Sequence, residues 1–386
     1  MRIAFVSDVV YPYVKGGVEA IESQEMRALA KRHDVCCFSM RFEGMKRSFT
    51  SHGVHHIGVA PASVSALYEK GRRSVALARS FANGLKKELE GKRFDLVQAN
   101  AFPFLHLGTV KTYCRATGCR LVIDVAEVWD MRRWVGYLGP VRGRAAYYFM
   151  RRALKGADHY MVNSSATKRD LERIGIAPGR ISVFSPVLDG RLLRDPQRRS
   201  SAKRRGVIFA GRLIPEKRLG MWLDALAAAR RDMPSMAGTI IGEGPEGRNI
   251  AERIKGLGLS GSVRMFPFTK TKAELYRRIA GSGLFLQTSS REGLSAIVLE
   301  SLALGTPVLL PSDTPIPYEV KRMCVVARPS KLPERMVIML KGSSEKPFLL
   351  RKELERFSTA AIPKFYASLF KKLGLGGPSP RSAQEL

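Results

Sequence analysis

Short runs of apolar residues alternate along the chain with longer stretches in which apolar residues recur at helical spacing. In the first half the runs predict six strands, at Ile3–Val6, Val35–Ser39, Leu96–Gln98, Leu121–Val125, His159–Asn163 and Ile181–Phe184. Helical patterns separate several of them, for example over Glu19–Lys31 and His106–Thr117. Strands that alternate with helices favour βαβ units, and continuous apolar runs are typical of strands buried on both faces. This half therefore predicts a parallel α/β sheet.

The pattern stops over residues 189–205, where a proline, two serines and many arginines predict an exposed linker, and it then restarts. The second set of strands is predicted at Val207–Ala210, Gly238–Ile241, Val263–Met265, Leu284–Gln287 and Pro307–Leu310. A chain of 386 residues is long enough for two cores. We predict an N-terminal Rossmann-like domain over 1–188, a basic linker over 189–205 and a C-terminal Rossmann-like domain over 206–345. C-terminal helices over 346–373 are expected to pack back on the first domain, and 374–386 to form a flexible tail.

The formal net charge of +31 predicts an anionic partner: nucleic acid, an anionic membrane or phosphorylated small molecules. A generally basic surface is the alternative. The five cysteines form no C-x-x-C pair, and the His52-x-x-His55-His56 cluster has no acidic partner nearby, so a turn or strand edge explains it better than a metal site. Reduced thiols fit the cytosol. No apolar run approaches about 18 residues, so no membrane-spanning helix is expected.

The most informative segment joins a strand to an apolar helix. The strand ends in a polar loop with Glu292, and the helix begins near Ser295, whose residue type suits an N-cap. Open α/β sheets bind ligands at the carboxyl ends of their strands, and helix N-termini bind phosphate. If both were helical, the backbones of Glu292 and Glu300 would lie about 12 Å apart. That span suits one extended ligand, whereas a structural ion pair with a buried arginine or lysine is the alternative for Glu300.

Two shorter loops carry further signals. Gly211 ends a strand, and Arg212 and Lys217 follow before the next helix, which suits a diphosphate because arginine binds it as a fork and lysine as a point charge. Taken alone, these residues are better explained as an ordinary solvated basic loop, and the diphosphate interpretation gains support only because the Glu292–Glu300 segment belongs to the same domain. Gly16 and Gly17 follow the first strand and would let the backbone approach a ligand closely, although Gly-Gly is also a common turn.

Together these segments resemble the retaining glycosyltransferase family 4, also called glycosyl transferases group 1, of GT-B fold. The matching motifs are Gly16-Gly17-x-Glu19, Gly211-Arg212-x4-Lys217, Gly242-x-Gly244-Pro245, and Glu292-x7-Glu300 followed by Gly305-Thr-Pro307. The resemblance implies an α/β fold with two Rossmann-like domains whose parallel sheets face a central cleft. It also implies transfer of a sugar from a UDP- or GDP-sugar, with retention at the anomeric carbon and without a metal or other cofactor.

On the C-terminal side the resemblance implies a role for each matching residue. Arg212 and Lys217 would hold the diphosphate and stabilise the leaving group as its charge develops. Glu292 would contact the hydroxyls of the donor sugar and Glu300 the ribose.

Backbone groups would complete the donor site. Gly16 and Gly17 would let the N-terminal loop close over the phosphates, Ser295 and Ala296 would offer N–H groups at the helix start, and the loop at Phe268 would lie against the base.

One departure concerns the N-terminal side, where many family members carry a histidine near the fourth strand. The segment here contains Asp124, Glu127 and Asp130 and no histidine. It looks like a subgroup of the family with an Asp-x-x-Asp-x-Trp pattern, but this chain has Glu127 where that subgroup has the second aspartate. Glu127 is therefore the catalytic residue predicted on this side, in addition to Arg212, Lys217 and Glu292 on the C-terminal side. Asp124 and Asp130 are predicted acceptor-side residues. A polar loop with one N-cap is the alternative for the two aspartates.

The stretch Met131–Lys155 contains seven cations, five Trp, Tyr or Phe residues and no acidic residue. This combination suits an anionic membrane surface and also nucleic acid. An aromatic face packed in the core, with solvated cations, is the alternative. Given the resemblance, we predict peripheral docking at the inner face of the cell membrane through this stretch and the basic stretch Arg72–Arg93.

The expected protein is a cytoplasmic hexosyltransferase that acts on a lipid-linked or saccharide acceptor and makes a glycolipid, polysaccharide or glycan precursor. The alternative is a basic nucleic-acid-binding protein without transferase activity, but no docking module is recognisable and no nucleic acid partner is expected. The Gly242-x-Gly244-x-x-Gly247 motif does not indicate a dinucleotide site, because Glu243 and Glu246 would repel a pyrophosphate.

Overall fold

The computed structural model describes residues 1–14, 16–69, 72–193, 205–292, 294–342 and 350–375. Most of the predicted linker (194–204) and tail (376–386) lies outside these residues. The chain divides into two units, the first formed by Met1–Pro186 with the C-terminal segment from Thr359, and the second by Val187–Ser358.

Ten strands and six helices form the body of the first unit as the structure describes it. The strands are β1 Arg2–Val6, β2 Asp34–Arg41, β3 Ser48–Ser51, β4 Val54–Pro61, β5 Tyr68–Glu69, β6 Arg72–Arg73, β7 Leu96–Asn100, β8 Arg120–Val125, β9 His159–Val162 and β10 Ile181–Val183. The helices are α1 Gly17–Leu29, α2 Val75–Leu89, α3 Leu105–Thr117, α4 Met131–Leu138, α5 Pro140–Leu154 and α6 Ser165–Arg173.

The main sheet of the first unit has the order β10-β9-β8-β7-β1-β2-β4-β3. Its pairs are parallel, except for the antiparallel hairpin of β3 and β4. His52 and Gly53 form the hairpin turn, both with positive φ, and His55 and His56 lie in β4, as the turn or strand-edge interpretation of this cluster expected. A second, two-stranded sheet pairs β5 with β6.

The second unit has a single six-stranded sheet among its described residues. Its strands are β11 Arg205–Ala210, β12 Gly238–Ile241, β13 Val263–Phe266, β14 Ser282–Leu286, β15 Val308–Pro311 and β16 Val325–Ala327. Its helices are α7 Leu219–Asp232, α8 Gly247–Gly256, α9 Lys272–Ala280, α10 Ala296–Ala303, α11 Tyr318–Lys321, α12 Leu332–Leu340 and α13 Leu350–Glu355. The sheet order is β13-β12-β11-β14-β15-β16, and every pair is parallel.

The C-terminal helices divide between the units, which differs from the prediction that they all pack on the first domain. Leu354 of α13 and the following Phe357 are buried in the core of the second unit. The last helix, α14 (Ile362–Lys372), packs on the first unit, where Tyr366 is fully buried. The apolar side chains of each helix thus decide the core to which it belongs.

Both sheets reverse their strand order beside a central strand. β1 lies between β2 and β7, and β11 lies between β12 and β14. In open parallel sheets ligands bind outside the carboxyl ends of the strands at such a reversal. The loops after β1 and β7, and those after β11 and β14, are therefore the places to look for functional side chains.

Candidate functional site

In the second unit, two glycine-containing loops after β11 and β12 are held together through their backbones. The N–H of Leu213 donates to the carbonyl of Glu243 at 2.8 Å, and the N–H of Glu246 donates to the carbonyl of Leu213 at 3.0 Å. A Cβ atom on Gly242 would lie 1.8 Å from the carbonyl oxygen of Gly211. Only glycine permits this approach, which fixes the loop that carries Arg212.

Lys217 and Glu292, which are 75 residues apart in sequence, meet at the carboxyl ends of β11 and β14. Lys217 Nζ lies 2.5 Å from Glu292 Oε1, and the side-chain amide of Gln287 donates to the same oxygen at 2.5 Å. The Lys217 and Glu292 side chains are 19% and 10% exposed. The structure thus joins two of the predicted residues in one largely buried charged cluster, and adds Gln287.

Arg218 anchors the loop on which Lys217 lies. Its guanidinium donates to the carbonyl oxygens of Thr288 and Ser289 and to the Asp313 carboxylate. This pairing holds the pKa of the Asp313 carboxyl below its usual value. The neighbouring Arg212, by contrast, is exposed, so its guanidinium is accessible to a ligand.

Glu300 is buried on α10 and has two partners for the same oxygen. The Tyr276 hydroxyl donates to Glu300 Oε1 at 2.7 Å, and Lys272 Nζ lies 3.2 Å from it. The Glu300 side chain is 9% exposed and that of Lys272 is 76% exposed. A cationic partner is therefore present, but it is an exposed lysine rather than the buried arginine or lysine that the ion-pair alternative required. Glu292 lies in the loop before α10 rather than in a helix, so the estimate of their separation does not apply.

Ser295 precedes α10 but does not cap it through its side chain, contrary to the expectation from its residue type. Its φ of 56° lies in the left-handed region, whereas an N-cap residue needs extended backbone to direct its oxygen at the helix N–H groups. The Ser295 hydroxyl is buried and has no hydrogen-bond partner among the described residues. Ala296 begins the helix, and Phe268, in the loop after β13, is 48% exposed.

The first unit contains a cavity of about 370 Å³ beside the carboxyl ends of β1, β7 and β8. Asp8 and Arg73 form a buried ion pair in its wall, with side chains 7% and 10% exposed. Glu19 also lines the cavity, and burial raises the pKa of its carboxyl. Gly16 lies directly before α1, where a Cβ atom would clash with the Glu19 carboxylate, and Gly17 is the first residue of this helix.

The three predicted acidic residues of this unit have different environments. Glu127 lines the cavity, its side chain is 50% exposed, and it accepts a hydrogen bond of 2.7 Å from the Trp129 indole. Asp130 caps α4 by accepting from the N–H of Arg133 at 2.8 Å, as the N-cap alternative expected. Asp124 is half-buried at the end of β8, and desolvation raises the pKa of its carboxyl to about 7.

Sequence reasoning missed the residues that complete this cavity. Asp8 follows β1 and Asn100 is the last residue of β7, so the rule that ligands bind at strand ends could have found both. Arg73 belongs to the basic stretch Arg72–Arg93 that is predicted to dock on the membrane, but it is instead buried in its ion pair with Asp8, 65 residues away. No local signal in the sequence marks Arg73 or Phe104 as a cavity residue. The φ of 72° at Phe104 is unusual for an aromatic residue.

The basic stretch Met131–Lys155 forms α4 and α5. On α5 Val141, Tyr148 and Phe149 are 78%, 60% and 45% exposed, although Trp134 of α4 is buried. Arginines surround the exposed apolar residues along the helix, at Arg142, Arg144, Arg151 and Arg152. The core-packing alternative therefore accounts for Trp134 but not for the exposed face of α5.

The family models identify the class of protein that these two units form. The model described as Glycosyltransferase Family 4 matches residues 15–189, and the model described as Glycosyl transferases group 1 matches residues 194–325. The chain thus belongs to the group 1 glycosyltransferases of family 4, with the GT-B fold. The predicted α/β fold class and the family resemblance are both confirmed.

Individual relatives are more distant. A lipopolysaccharide core biosynthesis glycosyltransferase, LpsE, of Rhizobium meliloti is 31% identical over 103 residues, which are 27% of this chain and 28% of LpsE. The matches to curated relatives span 17% to 34% of those proteins' lengths.

Solved structures are similar over nearly the whole chain. The lipopolysaccharide outer core galactosyltransferase WaaB has a TM-score of 0.67 at 17% identity, over 96% of this chain and 100% of WaaB. Anabaena HepE, in complex with UDP and glucose, has a TM-score of 0.64 at 18% identity, over 96% and 99% of the two chains. At these identities the likeness establishes the fold.

The comparisons lend no support to the alternative of a nucleic-acid-binding protein, because the matching family models are those of glycosyltransferases. No helix within the described residues has the length and hydropathy that crossing a bilayer requires.

Proposed function

We propose that this protein transfers a hexose from a UDP- or GDP-sugar to a lipid-linked or saccharide acceptor, with retention at the anomeric carbon and without a metal ion. The observation that carries the proposal is the cluster of Lys217, Glu292 and Gln287, with Arg212 exposed on the same loop system. It combines cations for a diphosphate with a carboxylate and an amide for sugar hydroxyls.

The leaving diphosphate gains negative charge as the bond to the sugar breaks. Arg212 is exposed and can bind two of its oxygens as a fork, whereas Lys217 offers a compact charge. An ammonium group has three protons, so Lys217 can donate to a phosphate oxygen and keep its bond to Glu292. Cations fixed in this way before the reaction stabilise the developing charge.

Glu292 and Glu300 would bind the two ends of the donor. The Gln287 amide and Lys217 hold Glu292 Oε1, which leaves the second carboxylate oxygen to accept from sugar hydroxyls. Tyr276 and Lys272 orient the Glu300 carboxylate, which is then a hydrogen-bond acceptor for the ribose. The structures of Anabaena HepE in complex with UDP and glucose and with UDP-glucose support a UDP-sugar as the first donor to try.

The proposed acceptor site is the cavity of the first unit, with Glu127 as its catalytic residue. Synthesis of a glycolipid, polysaccharide or glycan precursor fits the names of WaaB and LpsE, which concern lipopolysaccharide.

The test is a panel of UDP-, GDP- and ADP-sugars scored for release of the nucleoside diphosphate. We expect slow release from one UDP- or GDP-sugar, and a loss of on the order of 10²–10³-fold in the Lys217→Met variant. Lys255→Met, on the exposed face of α8, is the matched control and should retain the rate. Release from no donor, together with salt-dependent DNA binding, would favour the nucleic-acid alternative instead.

We further propose that α5 docks on the anionic inner face of the cell membrane. Exposed Val141, Tyr148 and Phe149 would enter the headgroup region while the neighbouring arginines bind lipid phosphates. Such a face would bring a lipid-linked acceptor near the cavity, because Trp134 of α4 and Met150 of α5 line its wall.

Co-sedimentation with vesicles of phosphatidylcholine and phosphatidylglycerol tests this docking. Binding should fall with added salt, and the double variant Tyr148→Ser, Phe149→Ser should weaken it several-fold. Tyr318→Ser, which removes an aromatic ring that is 73% exposed in the second unit, should leave binding unchanged. Equal binding to neutral vesicles, or equal losses in both variants, would argue against the docking.

A further inference from the structure

The cavity of the first unit differs in charge from the rest of the protein. The chain has a formal net charge of +31, yet the charged side chains that line the cavity among the described residues are Asp8, Glu19, Glu127 and Arg73. Because Arg73 is already paired with Asp8, its charge is compensated within the wall. Glu19 and Glu127 remain, so the part of the wall that the structure describes presents an excess of negative charge to a ligand.

Glu19 and Glu127 have different surroundings in the cavity. Burial, and to a smaller extent the negative charge of Asp8, raises the pKa of the Glu19 carboxyl, although a backbone hydrogen bond and Arg73 oppose the change. Arg133 lies 3.9 Å from Glu127, but both side chains are half exposed, so water and salt screen this pair. An anionic group on a ligand would be repelled by these carboxylates and would lose its own hydration on entering the cavity.

Four aromatic side chains form a continuous series along one part of the remaining wall. Phe102, Phe104, Trp134 and Trp129 follow one another with centroid separations of 5.6, 6.3 and 5.1 Å. Aromatic faces attract C–H groups and cations, because the ring carries negative charge above its plane. Phe104 holds its position with a φ of 72°, and backbone strain of this kind is concentrated at binding sites.

We propose that this cavity binds the acceptor's sugar ring in a neutral or ammonium-bearing form and rejects a ring that carries a phosphate or a carboxylate. The proposal rests on the proposed function, since it names the chemical class of acceptor for that reaction. The aromatic wall contacts the apolar face of the ring, and the carboxylates accept protons from hydroxyl or ammonium groups. Rejection follows because an anionic substituent finds uncompensated negative charge.

Donor-free titration of the full chain with the methyl glycosides of glucosamine, glucose and glucuronic acid tests the proposal. Trp129 and Trp134 line the cavity and Trp222 is fully buried in the other unit, so tryptophan fluorescence reports on binding in the cavity. We expect saturable changes with glucosamine and glucose, and binding of glucuronate at least about tenfold weaker. Tightest binding by glucuronate, or saturation with none of the three, would overturn the proposal.

Replacement of a carboxylate that lines the cavity tests whether the cavity causes the difference in binding between the sugars. Glu19→Gln should reduce the difference between glucosamine and glucuronate to about threefold or less. Glu90→Gln removes the same charge from an exposed position after α2 and should leave the difference unchanged. An equal response of the two variants would indicate a general charge effect and contradict the proposal. Donor turnover is measured separately, so turnover with preferred glucuronate binding would overturn this inference alone.

Discussion

The sites of the two units are built in different ways. In the second unit Arg212, Lys217 and Glu292 belong to short motifs, and backbone hydrogen bonds between two glycine-containing loops fix the loop that carries Arg212. In the first unit the cavity is assembled from the ends of three strands, a two-stranded sheet and three helices, and no single motif describes it.

This difference follows from what each site is proposed to bind. A nucleoside diphosphate is the same group for every donor, so a fixed set of loop residues can recognise it. An acceptor varies in ring, linkage and lipid, and side chains from distant parts of the chain must define its shape and charge. A variant in the second unit should therefore affect binding and chemistry together, whereas one in the first unit can separate them.

Replacement of Glu127 by Gln is the strongest test of that separation. If Glu127 is the catalytic residue of the first unit, Glu127→Gln should reduce transfer on the order of 10³-fold, because the amide cannot exchange a proton with the acceptor. Nucleotide binding, measured by calorimetry with UDP or GDP, should stay unchanged. The Trp129 indole can still donate to the amide oxygen, which preserves the local structure.

Asp130→Asn is a suitable control for Glu127→Gln, because asparagine also caps helices and Asp130 caps α4. Normal turnover in Glu127→Gln would remove the residue from the mechanism. Equal loss in both variants would show that the loop, rather than the Glu127 carboxylate, matters.

The sequence predicted the strands that form the sheet centres, because they are continuous apolar runs: β1 was expected at Ile3–Val6 and is Arg2–Val6, and β11 was expected at Val207–Ala210 and is Arg205–Ala210. It missed the β5–β6 hairpin, whose strands have two residues each and are too short for a periodic signal. The pairing of Asp8 with Arg73 could not be predicted from the sequence, because the two residues are 65 positions apart and only folding brings them together.

Ser295 shows how tertiary structure can override a local rule. Its residue type and its position before an apolar helix predicted a side-chain cap, yet its φ of 56° turns the hydroxyl away from the helix. The approach of Lys217 to Glu292, by contrast, could be anticipated in outline, because the loops after β11 and β14 leave the same edge of a parallel sheet.

A substitution in the glycine loops tests whether backbone packing supports the site of the second unit. Gly242→Ala should lower the free energy of unfolding by about 1–3 kcal/mol, because the new Cβ would overlap the carbonyl oxygen of Gly211. Gly261→Ala, where a Cβ meets no atom within 4 Å, is the control. Urea denaturation measures both. If Gly242→Ala proves as stable as the control, the loops are free to separate and do not fix Arg212.

The smallest expected effect concerns a buried polar network that joins α14 to the sheet of the first unit. The Gln98 amide donates to Glu25 Oε2 at 3.2 Å, the Tyr366 hydroxyl donates to Gln98 Oε1 at 2.7 Å, and the Tyr366 oxygen lies 3.0 Å from Glu25 Oε2. A hydroxyl has one proton to donate, so a protonated Glu25 completes the ring by donating to Tyr366. Burial and the charge of Asp124 raise the pKa of Glu25 from 4.5 to about 8.

The raised pKa of Glu25 determines the direction in which the stability of the folded protein changes with pH. Between pH 4.5 and about 8 the folded state keeps a proton that the unfolded chain releases, so the stabilisation is fully present below pH 4.5 and is lost as the pH rises through about 8. Glu25→Gln stays neutral and should make this decline shallower, by at most on the order of 1 kcal/mol per pH unit, in urea denaturation across that range. Asp124 and Glu22 still titrate in the variant, so part of the decline remains. An unchanged slope, equal to that of Glu90→Gln, would show that Glu25 is ionised in the folded protein and that the ring of hydrogen bonds does not form.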